Sequence, residues 1–307
     1  MHFFPENTPF LVKLNGIKLL TNIKLVRIDG EPNKTRDHTM SQRPIKLSSS
    51  IKPVPGIKHI IAIGSGKGGV GKSTVSLNIA LALRELNLQC GLLDADIYGP
   101  NQAHMCQQKT RATVSDNRFD PVMTHGLQTM SMSYLVDDET PMVWRGPMVT
   151  KMLHQMLFFT HWKNLDILII DLPPGTGDVP LTLAKKALID CAVIVTTPQN
   201  LATADAEKGI NMFNKVDIPV LGIIENMSIH TCSNCGHQDA IFGTDGAHQL
   251  AKKTNSTLLG QLPLDTAIRE ASDSGQPIIL SNPSHPASET LLQVAKQIKK
   301  TLKNNSN

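Results

Sequence analysis

Two lysines, a serine and a threonine stand among four glycines in Gly66-Lys67-Gly68-Gly69-Val70-Gly71-Lys72-Ser73-Thr74. The spacing Gly66-x-x-x-x-Gly71-Lys72-Ser73 is that of a P-loop. Glycines let the backbone curl so that successive N–H groups converge on phosphate oxygens. A helix behind such a loop adds roughly half a positive charge at its N-terminus. Lys72 then reaches the β- and γ-phosphates, and the Ser73 hydroxyl holds Mg²⁺. Further along, Asp94-Ala95-Asp96-Ile97-Tyr98-Gly99-Pro100-Asn101 closes an apolar run. It places two carboxylates at the C-terminal edge of a strand, where open α/β sheets bind their ligands. Another apolar run, residues 165–170, ends in Asp171 and continues Leu-Pro-Pro-Gly-Thr-Gly-Asp178. A strand-tip carboxylate beside a P-loop is the Walker B pattern and holds Mg²⁺, usually through water. Gly175 and Gly177 supply hinges for a loop sensitive to the γ-phosphate.

A second chemistry lies in Cys232-Ser-Asn-Cys235-Gly-His237. The C-x-x-C spacing lets two thiolates share one metal. By itself it fits zinc, an iron–sulfur cluster or a redox pair. A redox C-x-x-C normally opens a helix, whereas this one follows a strand. A closed site needs four ligands, and the chain offers two close together. Cys90 and Cys191 fall on expected buried strands and Cys106 in a distant loop. His237 is a third ligand or, more simply, a solvated turn residue. A second copy of the chain would complete four thiolates around one [4Fe–4S] cluster.

Several elements must position these groups. Continuous apolar runs at residues 59–63, 90–93, 166–170, 191–196 and 219–224 read as parallel strands buried on both faces. Helical patterns at 75–88, 180–189, 202–216, 245–254 and 286–303 separate or follow them. The expected fold is α/β, a mainly parallel sheet flanked by helices on both faces. Residues 57–307 form the P-loop domain; residues 1–56 read as a poorly structured or truncated extension, with Met40 a plausible alternative start. The stretch 102–163 is not legible, although Trp144 and Arg145 stand out as a partner surface or a packed corner. At 307 residues and a net charge of +4, the chain can hold one large domain plus an extension, and the charge does not argue for nucleic acid. No apolar run approaches a membrane span, and no secretory signal is visible. Five cysteines at uneven spacing fit a reducing, cytoplasmic setting.

The form Gly-Lys-Gly-Gly-x-Gly-Lys-Ser, with Lys67 after the first glycine, resembles the deviant Walker A of the nitrogenase-iron-protein, MinD and ParA class of NTPases. That resemblance implies a nucleotide-sandwich homodimer, with Lys67 reaching the phosphates of the partner's nucleotide. It implies that Asp96 lies near the γ-phosphate and orients the attacking water, while Asp94 supports the Mg²⁺ shell. It also implies that Asn226 reads the adenine edge, with residues 259–265 closing over the base. Taken in order, these segments, Trp-Arg-Gly-Pro-Met at 144–148, Glu-Asn-Met-Ser at 225–228 and Cys-x-x-Cys-Gly are similar to the Mrp/ApbC family of P-loop ATPases. The similarity covers residues 57–303. It implies ATP binding and slow hydrolysis, a labile [4Fe–4S] cluster bridging a homodimer at Cys232 and Cys235, an upstream cluster scaffold and apo iron–sulfur clients. Neither nucleic acid nor membrane is an expected partner. There are two departures. The small N-terminal domain of longer bacterial members is expected to be absent or truncated, and no cysteine precedes Cys90, so the ferredoxin-like motif of eukaryotic cytosolic members is missing.

The alternative is a MinD- or ParA-like positioning switch acting at a membrane or on DNA. Leu291, Val294, Ala295, Ile298 and Leu302 share one face of the last helical pattern, with lysines mostly elsewhere. Such a helix either lies on an anionic membrane or covers the sheet. An electron-donating reductase like the nitrogenase iron protein shares the P-loop, but that family spaces its two cysteines far apart.

Overall fold

The computed structural model describes residues 13–14, 17–18, 53–136, 146–177, 180–183 and 187–305. The chain divides into two compact units, Met1–Ser50 and Ile51–Asn307. In the first, Lys13–Leu14 and Ile17–Lys18 pair as short antiparallel strands. The remaining expectations for residues 1–52 lie outside the described residues, as do Trp144 and Arg145.

The second unit is built on an eight-stranded sheet. Its strands are β1 (Ile57–Ser65), β2 (Cys90–Asp94), β3 (Val122–Thr124), β4 (Leu127–Met130), β5 (Leu165–Asp171), β6 (Cys191–Thr196), β7 (Val220–Glu225) and β8 (Leu258–Gln261). Their order across the sheet is β8-β7-β6-β1-β5-β2-β4-β3. Every neighbouring pair is parallel except β3 with β4. The helices used below are α1 (Lys72–Glu85), α2 (Gly146–Phe158), α3 (Asn200–Lys215), α4 (Gly246–Thr254), α5 (Thr266–Asp273) and α6 (Pro286–Asn305).

Helices cover both faces of the central strands, which explains their continuous apolar runs. Residues 60–63 of β1 and 192–195 of β6 are at most 3% exposed. Ile61 and Ile63 join one core with α1 and α6. On the opposite face, a Cβ at Gly64 would meet the Phe213 ring at 3.1 Å, so α3 packs there closely. Leu291, Val294, Ala295, Ile298 and Leu302 of α6 are all buried in the first of these cores. The apolar face of the last helix therefore covers the sheet and is not free to lie on a membrane. Lys299 donates to the Leu86 carbonyl at the C-terminal end of α1 (2.8 Å), where a cation satisfies an orphan acceptor.

The expected helix over 180–189 is corrected. Residues 180–183 are helical, but 188–190 are not. Asp190 instead ties the chain to β1: its N–H donates to the Ile60 carbonyl, and its carboxylate accepts from the Ile60 N–H (2.7 Å). The expected helix over 75–88 begins one turn earlier, at Lys72, and ends at Glu85. Asn87, with φ +60°, closes it in the left-handed conformation. The illegible stretch holds the β3–β4 edge hairpin and α2.

Candidate functional site

The P-loop joins β1 to α1. Gly69 and Gly71 have φ values of +80° and +81°, which glycine adopts without the left-handed penalty. Gly66 is needed for a different reason: a Cβ there would lie 2.1 Å from the Asp205 backbone of α3. Strand register then delivers the carboxylates. Asp171 stands opposite Ile63 of β1 and opposite Asp94 of β2. The two acids thus end adjacent strands at one height, next to the loop.

Lys72 is 6% exposed, and its ammonium sits 2.7 Å from Asp171 Oδ1 and 3.4 Å from Ser73 Oγ. Asp171 also accepts from Ser76 Oγ (2.8 Å) and Gln102 Nε2 (2.9 Å). Asp94 accepts from the backbone N–H groups of Asp96 and Gln102 and from the Ser131 hydroxyl. Burial and then the neighbouring Asp171 charge push Asp94 up to about 7, against the opposing pull of the Gln102 N–H and Lys72. Burial also raises Asp96, with Lys72 opposing it. The Asp96 carboxylate accepts from the Gly99 N–H (3.3 Å).

Above these groups opens a cavity of about 430 Å³. That is within the range of small-molecule sites. The P-loop side of its lining is Lys67, Gly68, Gly69, Gly71, Lys72, Ser73 and Thr74, with Asp96. Asn226, Met227, Pro263, Leu264 and Ile268 also line it, together with the polar Asp265, Arg269, Ser272 and Asp273. The P-loop residues suit phosphates, and the apolar side chains among the rest can pack against a flat ring. Gly66 and Val70 do not line the cavity. Gly66 packs on α3, and the Val70 carbonyl accepts from Asn226 Nδ2 (2.9 Å). Asp94 and Asp171 lie beneath its floor. Lys67 lines it with Nζ 3.3 Å from Gln199 Oε1. Gly175, at φ +87°, donates its N–H to the Ser65 carbonyl (2.9 Å), so the loop after β5 rests on the start of the P-loop.

Ser73 Oγ and the two carboxylates form an all-oxygen donor set, which suits Mg²⁺. A further buried oxygen, Gln102 Oε1, has no partner. Ser73, Asp94 and Asp171 are therefore fit to hold the cation, and the Lys72 ammonium lies within reach of both Ser73 and Asp171. Sequence reasoning missed Ser76 and Gln102. Ser76 was findable, since it lies one helical turn after Lys72 and so shares its face. Gln102 follows no spacing rule.

The paired cysteines occupy a hairpin in which His230–Thr231 pairs with Gln238–Asp239. The Cys232 N–H donates to the His237 carbonyl, and the Gly236 N–H to the Cys232 carbonyl, each at 2.9 Å. The N–H groups of Cys235 and then Asn234 bond the Cys232 sulfur and hold its thiol below the ordinary value. This favours the thiolate, the form that binds metal. Cys232 is half-buried and Cys235 exposed. Burial instead pushes Cys90 up to about 12, Cys106 to about 11 and Cys191 to about 12. His237 is exposed and serves the hairpin through its carbonyl. Among the described residues, no group of three or more His, Cys, Asp or Glu side chains is placed to hold a metal. One copy supplies two thiols.

The family model described as "ParA: NUBPL iron-transfer P-loop NTPase" matches residues 56–299. The chain belongs to this family. Its relatives include the "Iron-sulfur cluster carrier protein" of Escherichia coli K12, 49% identical over 287 residues, covering 92% of this chain and 77% of that protein. The "Iron-sulfur cluster transfer protein NUBPL" of Mus musculus is 44% identical over 255 residues, covering 82% and 80%. Among solved structures, an Archaeoglobus fulgidus nucleotide-binding protein in complex with ADP aligns at a TM-score of 0.64 and 39% identity, over 72% of this chain and 88% of that one. The cell division ATPase MinD of Pyrococcus furiosus aligns at 0.59 and 22% identity, over 79% and 99%, and shows the shared fold alone. The deviant Walker A loop of this chain thus sits on the P-loop NTPase fold of its family.

Proposed function

We propose that the chain is an ATP-binding and slowly ATP-hydrolysing carrier of iron–sulfur clusters. Two copies hold one labile [4Fe–4S] cluster as cargo between their Cys232 and Cys235 thiolates, accept it from an upstream scaffold and pass it to apo-proteins. The observation that carries this reading is the hairpin. It presents two accessible thiols, one already biased to thiolate by backbone N–H groups, while the other cysteines are buried and protonated. Its relatives, named as iron–sulfur cluster carrier and transfer proteins, support the same cargo.

The nucleotide side follows from the P-loop geometry. Phosphates entering the loop draw Lys72 off Asp171, which frees that carboxylate and Ser73 for the cation. Mg²⁺, when bound, neutralises phosphate charge. Lys67 of a second copy adds positive charge where negative charge develops in the transition state. Asp96, in the same cavity, orients the attacking water. Hydrolysis releases the loop that Gly175 pins to Ser65, and through it the contact between copies that holds the cluster. Transfer itself is ligand exchange: client thiolates replace Cys232 and Cys235, with no change of oxidation state.

The test is transfer. Cluster-loaded protein, mixed anaerobically with an apo-enzyme that needs a [4Fe–4S] cluster and with a chelator present to trap free iron, should restore that enzyme's activity. Restoration that proceeds equally from a Cys232→Ala/Cys235→Ala variant treated the same way would refute the reading.

A further inference from the structure

Gln102 ties together every group assigned to the cation. It opens the short helix Gln102–Met105, and its backbone N–H donates to Asp94 Oδ2 (3.1 Å). Its Nε2 donates to Asp171 Oδ2 (2.9 Å) and to the Ser73 carbonyl (3.1 Å). Both of these partners are acceptors, so the orientation of the amide is fixed, with nitrogen toward them and oxygen away. Oε1 is then left buried without a donor, on a side chain only 2% exposed. A buried acceptor with no donor is unfavourable and rare. Its neighbours explain it if the donor arrives with the ligand.

We propose that Gln102 is a positioning residue for Mg²⁺: its amide nitrogen holds Asp171 and the Ser73 backbone in place, and its orphan Oε1 accepts a hydrogen bond from a water that enters with the cation. This rests on reading the cavity as a Mg²⁺–nucleotide site. Outer-sphere groups of this kind matter for metal affinity although they never touch the metal.

The experiment titrates a fluorescent ADP analogue into the full chain, with excess Mg²⁺ and with EDTA, and reads the ratio of the two affinities. Gln102→Leu should lower that ratio about tenfold, the usual scale for losing an outer-sphere partner. Gln102→Met keeps the length and volume of the side chain but has neither the amide donor nor the acceptor oxygen, and it should lower the ratio likewise. A Leu variant that weakens binding equally in both conditions, or leaves the ratio unchanged, overturns the proposal. So does a Met variant whose ratio equals that of wild type, which also decides the matter if the Leu variant does not fold. A wild-type chain that binds no nucleotide in either condition overturns the reading of the cavity, and this inference with it.

Discussion

Lys72 balances the charge of a buried acidic site before any ligand arrives. Its ammonium lies against Asp171, which is fully buried and borders a second buried acid, Asp94. Removing one partner of a buried pair leaves the other uncompensated. Lys72→Ala should therefore cost about 3 kcal/mol of stability, besides abolishing nucleotide binding. Urea unfolding checks it, and an unchanged midpoint would contradict the pairing. Asp94 gives a pH signature. Its native pKa of about 7 stands above the ordinary carboxylate value of 3.8, so between these the folded chain binds the extra proton. Stability contributed by that proton is present at low pH and lost as pH rises through this window. The urea midpoint of the ligand-free chain should fall from about pH 5 to about pH 8 by more in wild type than in Asp94→Asn. Equal falls would place the titration elsewhere.

At the scale of elements, the P-loop works because three structures meet at glycines. Gly71 has a left-handed φ, and a Cβ there would lie 2.2 Å from Asn226 Nδ2. Gly71→Ala thus combines backbone strain of about 1–2 kcal/mol with displacement of Asn226. Nucleotide affinity should drop at least about tenfold, since 1.4 kcal/mol is a factor of ten. Affinity equal to wild type would show that the loop tolerates the side chain. The same residues show why parts of this site could be read in the sequence. The P-loop is local, and its spacing alone specifies loop and helix. Asp171 is legible because a strand buried on both faces is a continuous apolar run with the acid at its tip. The β3–β4 hairpin is not, because β3 is short and turns Met123 outward, which breaks the run. β8, four residues long, is too brief to register against its surroundings. Gln102 was hidden for another reason: its partners lie 8, 29 and 69 residues away, and only strand register brings them together.

At the scale of the whole molecule, two chemistries lie at separate places on one domain. The nucleotide cavity lies at the C-terminal edge of the parallel strands, and the cysteine hairpin extends from the chain just after β7, the strand whose end supplies Asn226. Asn226 and Cys232 are thus six residues apart, a short path by which nucleotide state can reach the thiols. A single copy brings two accessible thiols, so the central claim is that the cluster forms only between two copies. The most direct test is anaerobic reconstitution with iron and sulfide, reading iron content and solution mass together for wild type and for Cys232→Ala/Cys235→Ala. Wild type should carry roughly four irons per pair of chains on a species of dimer mass, and the variant no cluster. A full cluster on a single chain, or iron retained by the variant, would contradict it.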